Sequence, residues 1–578
     1  MLCVIDTADL PGGCRKLIKG IGTSPLSWLG EDRLLTSWPS MAVIDSWIIR
    51  VPIPITIDLK TAKIDTLLPP KAPYKVADVI WRAPDGRGML LSAIRKSQSF
   101  PEVIRLDMPS RTITPVQPSQ QPVRRWFADG NGIVRAGVGS ERGRAVVLYR
   151  TAAVDPLRRA ASPAKSGEDG EDIIESIRFN GPGGAGLATS NRQTGRFAVY
   201  EYDPGTGTLG KPVFEHPKVD IDRLVLETDS RTVTGIAYED DRPRIKWLDA
   251  DQAKLQSQID RTFPNTVNTM TSRSRDGNLV VVQTRGPDSA GMSYLFDRKA
   301  RTMKGLLPAF EDRGALPLSP VRSFVYNARD GLEIPGFLTL PSTKSAQALP
   351  LIVMPHGGPF ARDHWDYDPY VQFLASRGYA VLQPQFRGST GYGRAFVEKG
   401  YGQWGAAMQN DLLDGIAALA RQNMIDPKRV CIMGISYGGY AAEWASVRDS
   451  AHYRCAISLA GVSDLRAQLR YDRSQFYAKR YAVAWEKKVQ GEEGRDLAAF
   501  SPLQQQASIT IPILIAHGEA DDNVPAVQSH RLVNALKKRQ AVVESYFYKG
   551  EGHGLADEKN NADFLSHVEA FLAKYNPA

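Results

Sequence analysis

Apolar and polar residues alternate in two different rhythms along this chain, and the rhythm changes near residue 320. Before that point the apolar runs are short, bounded by Gly, Pro and Asp, and almost never spaced as a helix face requires, so they predict strands. One pattern recurs: an apolar strand ending in Asp, a turn, then a second strand. It reads LCVID to Asp6, ITID to Asp58, VIRLD to Asp107, YEYD to Asp203, KWLD to Asp249 and YLFD to Asp297. The interval is about 50 residues, and VVLYR near Arg150 fills the one double gap, giving roughly seven units. Turn signals such as Asp203-Pro-Gly-Thr-Gly207 and Asp276-Gly277 separate further β-rich runs. A β-propeller of about seven blades fits this periodicity, with an irregular array of β-sandwiches as the alternative. The first unit reaches its Asp by residue 6, too early for inner strands, and the residues after Asp297 leave too little room to supply them. Either the propeller is open, or the natural chain begins earlier, an option that leaves room for a removed export signal.

From Val321 onward, longer apolar strands (LPLIVMP, YAVLQPQ, RVCIMG, CAISLAG, IPILIAH, VESYFYK) alternate with helix-like stretches such as MQNDLLDGIAALARQ. That alternation predicts a doubly wound, mostly parallel sheet with its chemistry at the carboxyl ends of the strands. Two domains follow, 1–318 and 319–578, and a chain of 578 residues is too long for a single core in any case.

Composition narrows the function classes. With 42% hydrophobic and 23% charged residues the chain is ordinary globular protein. No apolar run approaches the ~20 residues of a membrane span, and the start LCVIDTADL has no basic residue or long apolar middle, so no membrane partner is expected. Taken as it stands the chain reads as cytoplasmic; a longer natural start would make it periplasmic or secreted. The net charge of +9 is spread among acids, with only short clusters such as Lys537, Lys538 and Arg539, so no nucleic-acid partner is expected. Cys3, Cys14, Cys431 and Cys455 show no metal-ligand spacing, and the last two fall in apolar runs where buried thiols are common. No metal and no cofactor are expected.

Candidate chemistry collects at the strand ends of the second domain. Val430-Cys-Ile-Met433 runs into Gly434-Ile-Ser436-Tyr-Gly438-Gly439 and then into YAAEWASV. Strand, sharp turn and helix in that order are what a nucleophile elbow needs, so Ser436 is the expected nucleophile of an α/β-hydrolase domain. A hydroxyl needs a base, and the base needs an orienting acid; in this fold they follow as acid, then His. IPILIAH ends in Gly518-Glu-Ala-Asp521-Asp522, and VESYFYK ends in Gly550-Glu-Gly-His553-Gly554. Asp521 and His553 are the expected partners. Asp522 competes with Asp521, and is expected instead to hold its loop by accepting backbone N–H groups. LPLIVMP leads into His356-Gly357-Gly358-Pro359, where backbone N–H groups can approach a substrate oxygen. Gly358 and Tyr437 would supply the oxyanion hole.

Together HGGPF, FRGSTGYG, GISYGGY, HGEADDNVP and GEGHG resemble the prolyl oligopeptidase family, nearest its acylaminoacyl-peptidase branch. The resemblance implies a propeller capping a serine peptidase, with Ser436, Asp521 and His553 as triad, Gly358 and Tyr437 as oxyanion donors, and Val462 and Val524 lining a pocket for the residue before the scissile bond. Prolyl oligopeptidases and dipeptidyl peptidases carry Tyr where this chain has His356, which points to the acylaminoacyl branch. The paired glutamates of dipeptidyl peptidases are missing, the nearest string being Tyr238-Glu-Asp-Asp241. The expected substrate is a short peptide cleaved through an acyl-enzyme; a carboxylesterase, or a propeller-based binding protein with an inert hydrolase half, are the alternatives. Homo-oligomerisation is left open.

Overall fold

The computed structural model describes residues 2–4, 15–18 and the chain from 26 to 578 apart from 30–31, 45–46, 69–72, 84, 96–99, 142–143, 161–173, 180–185, 204–205, 207, 228–231, 275, 309–317, 343–346 and 476–478. Six antiparallel sheets occupy 27–66, 74–117, 123–159, 174–214, 221–247 and 267–308 and form a propeller-like ring. Five have four strands, and the fifth in order has three. Helix α1 (Ala250–Thr262) follows that sheet where an outer strand would stand. Seven blades were expected; among the described residues the first unit supplies a two-stranded sheet, Leu2–Val4 with Arg15–Ile18, while Asp6 and Cys14 lie outside them.

The recurring Asp has a physical cause. It closes the third strand of four of the six sheets, at Asp58, Asp107, Asp203 and Asp297. Its carboxylate accepts hydrogen bonds from the turn that follows: Asp58 from Lys60 and Thr61 N–H, Asp107 from Ser110 N–H, Asp297 from Lys299 and Ala300 N–H. Asp249 instead accepts Gln252 N–H and so caps α1. Apolar residues pack between neighbouring sheets: Leu90, Val103, Trp126, Val146 and Leu148 join the second to the third. The first strands line an axial cavity of about 310 Å³ that draws residues from five sheets, including Trp81, Arg82, Arg178 and Leu226.

The second domain is one eight-stranded sheet: β1 (Val321–Ser323), β2 (Gly336–Thr339), β3 (Leu349–Val353), β4 (Ala380–Pro384), β5 (Ile425–Ile435), β6 (Cys455–Leu459), β7 (Ile513–Gly518) and β8 (Val543–Tyr548), in the order β1-β2-β4-β3-β5-β6-β7-β8. β2 is antiparallel to both neighbours, and β4 to β8 with β3 run parallel. β3, β4 and β6 are buried along their whole length because helices cover both faces, which explains their unbroken apolar runs. Register places Cys431 on β5 opposite Cys455 on β6, and the two form a fully buried disulfide. The thiols expected from the sequence are corrected to a cross-strand bond.

Helix α2 (Tyr437–Arg448) carries Glu443, fully buried, its Oε1 accepting the Ser458 hydroxyl at 2.9 Å. Burial is the main influence and pushes its pKa from 4.5 up to about 7, against the hydrogen bond from Ser458. Because the folded value is raised, its contribution to stability is complete below 4.5 and is lost as pH rises through about 7. Thermal unfolding of Glu443→Gln is therefore expected to weaken less than the wild type between pH ~5 and ~8, the difference amounting to a few kcal/mol. Identical pH dependence in the two proteins would refute the assignment.

Candidate active site

The nucleophile elbow owes its shape to backbone crowding. β5 ends at Ile435, Ser436 sits at φ 61° and ψ −120°, and α2 begins at Tyr437. A side chain on Gly434 would overlap the Gly438 backbone, and one on Gly438 would overlap the Pro355 carbonyl. Small residues at both places let strand, turn and helix close up, and the strained turn holds Ser436 at the strand end. Its N–H donates to Leu459 O at 2.9 Å, tying the elbow to β6.

His553 and Asp521 arrive on the loops after β8 and β7. His553 Nδ1 lies 2.8 Å from Asp521 Oδ2. The other oxygen, Oδ1, accepts the N–H groups of Asn523 (2.8 Å) and Val524 (2.9 Å). His517, which the sequence reading passed over, places Nε2 3.2 Å from Asp521 Oδ2, with Nδ1 against Ser529 Oγ at 2.7 Å. Burial alone would raise the Asp521 pKa, but the hydrogen bonds from His517, His553 and Val524 outweigh it and hold the carboxyl well below the usual range. Asp522 is exposed and meets the fold through its carbonyl, which accepts the Tyr471 hydroxyl at 2.6 Å. The expectation that Asp522 would hold the loop is thus overturned: Asp521 holds the loop and faces the imidazole, one oxygen for each.

A cavity of about 350 Å³ brings Ser436, His553, Gly358, Tyr437, Val462 and Val524 onto one wall system. Gly358 has φ +120°, and a side chain there would press within 2.9 Å of Phe360 N, so glycine is required. Gly357 beside it lies close enough that an added Cβ would come within 3.4 Å of Ser436 Cβ. Tyr437 buries its ring among Phe386, Trp404 and Tyr440, leaving only its backbone to serve a substrate. His356 is turned from the reaction: its nitrogens meet Gly357 O and Ser389 Oγ, both at 2.8 Å, and burial pushes its pKa down to about 4. It braces the glycine loop as a neutral ring. The same cavity takes Trp404, Leu465, Gln468, Leu469, Asp472, Trp485, Val489 and Asn523 from distant parts of the chain, and none of these was singled out in the sequence.

The propeller reaches this loop directly. Glu239, buried at the end of the second strand of the fifth sheet, accepts Trp365 N–H with Oε1 and pairs with His364 Nδ1 through Oε2, each at 2.7 Å. Its hydrogen bond with His364, the largest influence there, raises the histidine pKa. Asp220 adds a second tie: its carboxylate accepts Gly393 N–H and its own N–H donates to Gly391 O. Between the fifth sheet and 364–367 lies a cleft of about 810 Å³. The FRGSTGYG motif is therefore spent on support, with Arg387 paired to Asp411 and Asp330, Ser389 on His356, and Gly391 and Gly393 on the propeller.

Residues 365–577 match the prolyl oligopeptidase family. Over 541 residues the chain is 29% identical to the dipeptidyl aminopeptidase BIII of Pseudoxanthomonas mexicana, covering 90% of this chain and 76% of that one. Other curated relatives are matched over less than half of their own length. Among solved structures, a puromycin-hydrolyzing peptidase of Mycobacterium tuberculosis superposes with a TM-score of 0.71 at 19% identity, covering 98% of this chain and 89% of the other. An acylaminoacyl peptidase of Pyrococcus horikoshii gives 0.55 at 16% identity, covering 96% of each. These likenesses extend the shared architecture over both halves. Residues 365–577 are a prolyl oligopeptidase family domain, and the chain that carries it is a serine peptidase.

Proposed function

We propose that this peptidase cleaves short peptides through an acyl-enzyme formed on Ser436. The observation that carries the reading is the His553–Asp521 pair, 2.8 Å apart, with His553 on the same cavity as Ser436. An imidazole whose Nδ1–H donates to a buried carboxylate keeps Nε2 free to accept a proton. Ser436 Oγ attacks the substrate carbonyl carbon as His553 Nε2 takes its proton, and the carbonyl oxygen becomes an oxyanion beside the Gly358 and Tyr437 N–H groups. Collapse breaks the C–N bond, and the imidazolium returns the proton to the leaving amine. Water, deprotonated by the same nitrogen, then splits the acyl ester and frees Ser436. The propeller, tied to the hydrolase domain at Glu239 and Asp220, supports the restriction to short peptides, because an extended strand needs a far narrower entry than a folded chain.

A fluorophosphonate probe is expected to label the wild type, and a blocked peptide anilide is expected to be cleaved at its amide. Hydrolysis of the matched ester with no measurable amide cleavage would overturn the peptide reading in favour of a carboxylesterase.

A further inference from the structure

The cavity beside Ser436 is an apolar sleeve that contains a carboxylate. Helix α3 (Leu465–Gln475) runs along it and contributes Leu465, Gln468, Leu469 and Asp472, four residues whose spacing puts them on one helix face. Trp404, Trp485 and Val489 complete the sleeve. Asp472 Oδ1 accepts Gln468 Nε2 and Oδ2 accepts Trp485 Nε1, each at 2.8 Å. These donors are neutral, so they orient the carboxylate without balancing its charge. Its neighbour Arg473 is taken by Glu486 at 2.7 Å, and among the described residues no cation pairs with Asp472. Burial accordingly pushes the Asp472 pKa up, opposed only by the Trp485 and Gln468 hydrogen bonds.

Position along the helix sets what can reach it. The loop from β6 to α3 carries Val462, and Leu459 O on β6 holds Ser436 N–H, so the start of α3 is the end nearest the nucleophile. Seven residues of helix then place Asp472 about 10 Å further along the axis than Leu465. A short side chain entering from Ser436 stops among the apolar walls. A long one lays its methylenes against Leu465, Leu469 and the two indoles and brings a terminal charge to the carboxylate, where aromatic faces also favour a cation.

We infer that Asp472 is a specificity-determining residue that selects lysine or arginine at the position before the scissile bond. The inference rests on the peptidase reading above and replaces its purely apolar pocket with a charged one. Three amino-blocked anilides differing only at that position, arginine, its uncharged isostere citrulline, and leucine, give the side chain as the sole cation. The wild type is expected to favour arginine over citrulline in kcat/KM by on the order of tenfold or more. In Asp472→Asn that ratio is expected to fall to within about twofold of unity. A ratio taken within one protein does not depend on the fraction correctly folded. Equal rates on arginine and citrulline in the wild type would overturn the inference, as would an arginine preference that survives in Asp472→Asn. A protein that reacts with fluorophosphonate yet cleaves none of the three also overturns it. Failure to react with the probe at all would overturn the peptidase reading beneath it.

Discussion

Replacing Ser436 by Ala is expected to lower kcat/KM on a peptide anilide by on the order of 10⁴-fold or more while leaving the melting temperature nearly unchanged. Removing Oγ removes the only atom that can form the acyl bond, and what remains is binding and whatever the Gly358 and Tyr437 amides contribute unaided. The fold is expected to survive because the strain at φ 61° belongs to the backbone and is the same for both residues. The glycines that admit the turn are untouched. Steady-state kinetics beside a thermal melt measure both halves of the expectation, and a variant keeping a tenth of wild-type activity would remove Ser436 from the mechanism.

Asp521→Asn is expected to lose activity on a similar scale, up to about 10⁴-fold, and Asp522→Asn to stay within about twofold of wild type. The asymmetry follows from the two oxygens of Asp521. Oδ2 receives His553 Nδ1–H, and an amide NH2 turned toward the ring would force the imidazole into the tautomer whose Nε2 carries the proton, useless as a base. Should the amide turn the other way, its NH2 would meet the Asn523 and Val524 N–H groups that Oδ1 now accepts, so loop geometry suffers instead. Asp522 has no such commitments, since its contact with Tyr471 runs through the backbone carbonyl. Comparable losses in the two variants would mean that the exposed carboxylate takes part.

The sequence made some of this legible because a few residue types leave no choice. Close backbone approach at the elbow admits only small residues at Gly434 and Gly438, so the motif and its strand–turn–helix setting point to Ser436 before any coordinates exist. The propeller was legible through an Asp that accepts N–H groups of a tight turn, but that Asp marks the end of one strand, not a complete blade. Counting it therefore gives seven units where the described residues form six larger sheets and one two-stranded sheet. Choosing between Asp521 and Asp522 needs to know which one the turn buries, and pairing Cys431 with Cys455 needs the order of strands in the sheet. Both are long-range facts with no local signature. The cavity mixes the two cases: Leu465, Gln468, Leu469 and Asp472 share a helix face readable from spacing, while Trp404 and Trp485 reach it only through the folded chain.

Glu239 links the two halves in a way that reaches beyond anchoring. It holds Trp365 N–H and His364, which stand on the same stretch of chain as Gly358, so the freedom of the glycine loop and the integrity of the fifth sheet draw on one shared free energy. Coupling of that kind runs in both directions with equal strength. Whatever orders the loop around a substrate oxygen also steadies the strand that ends in Glu239, and whatever loosens that strand is felt as a less well-formed oxyanion site. A sequence change in the fifth sheet that displaced Glu239 would therefore release Trp365 N–H and His364, on the stretch of chain that leads on from the glycine loop, although it lies far from Ser436 along the chain.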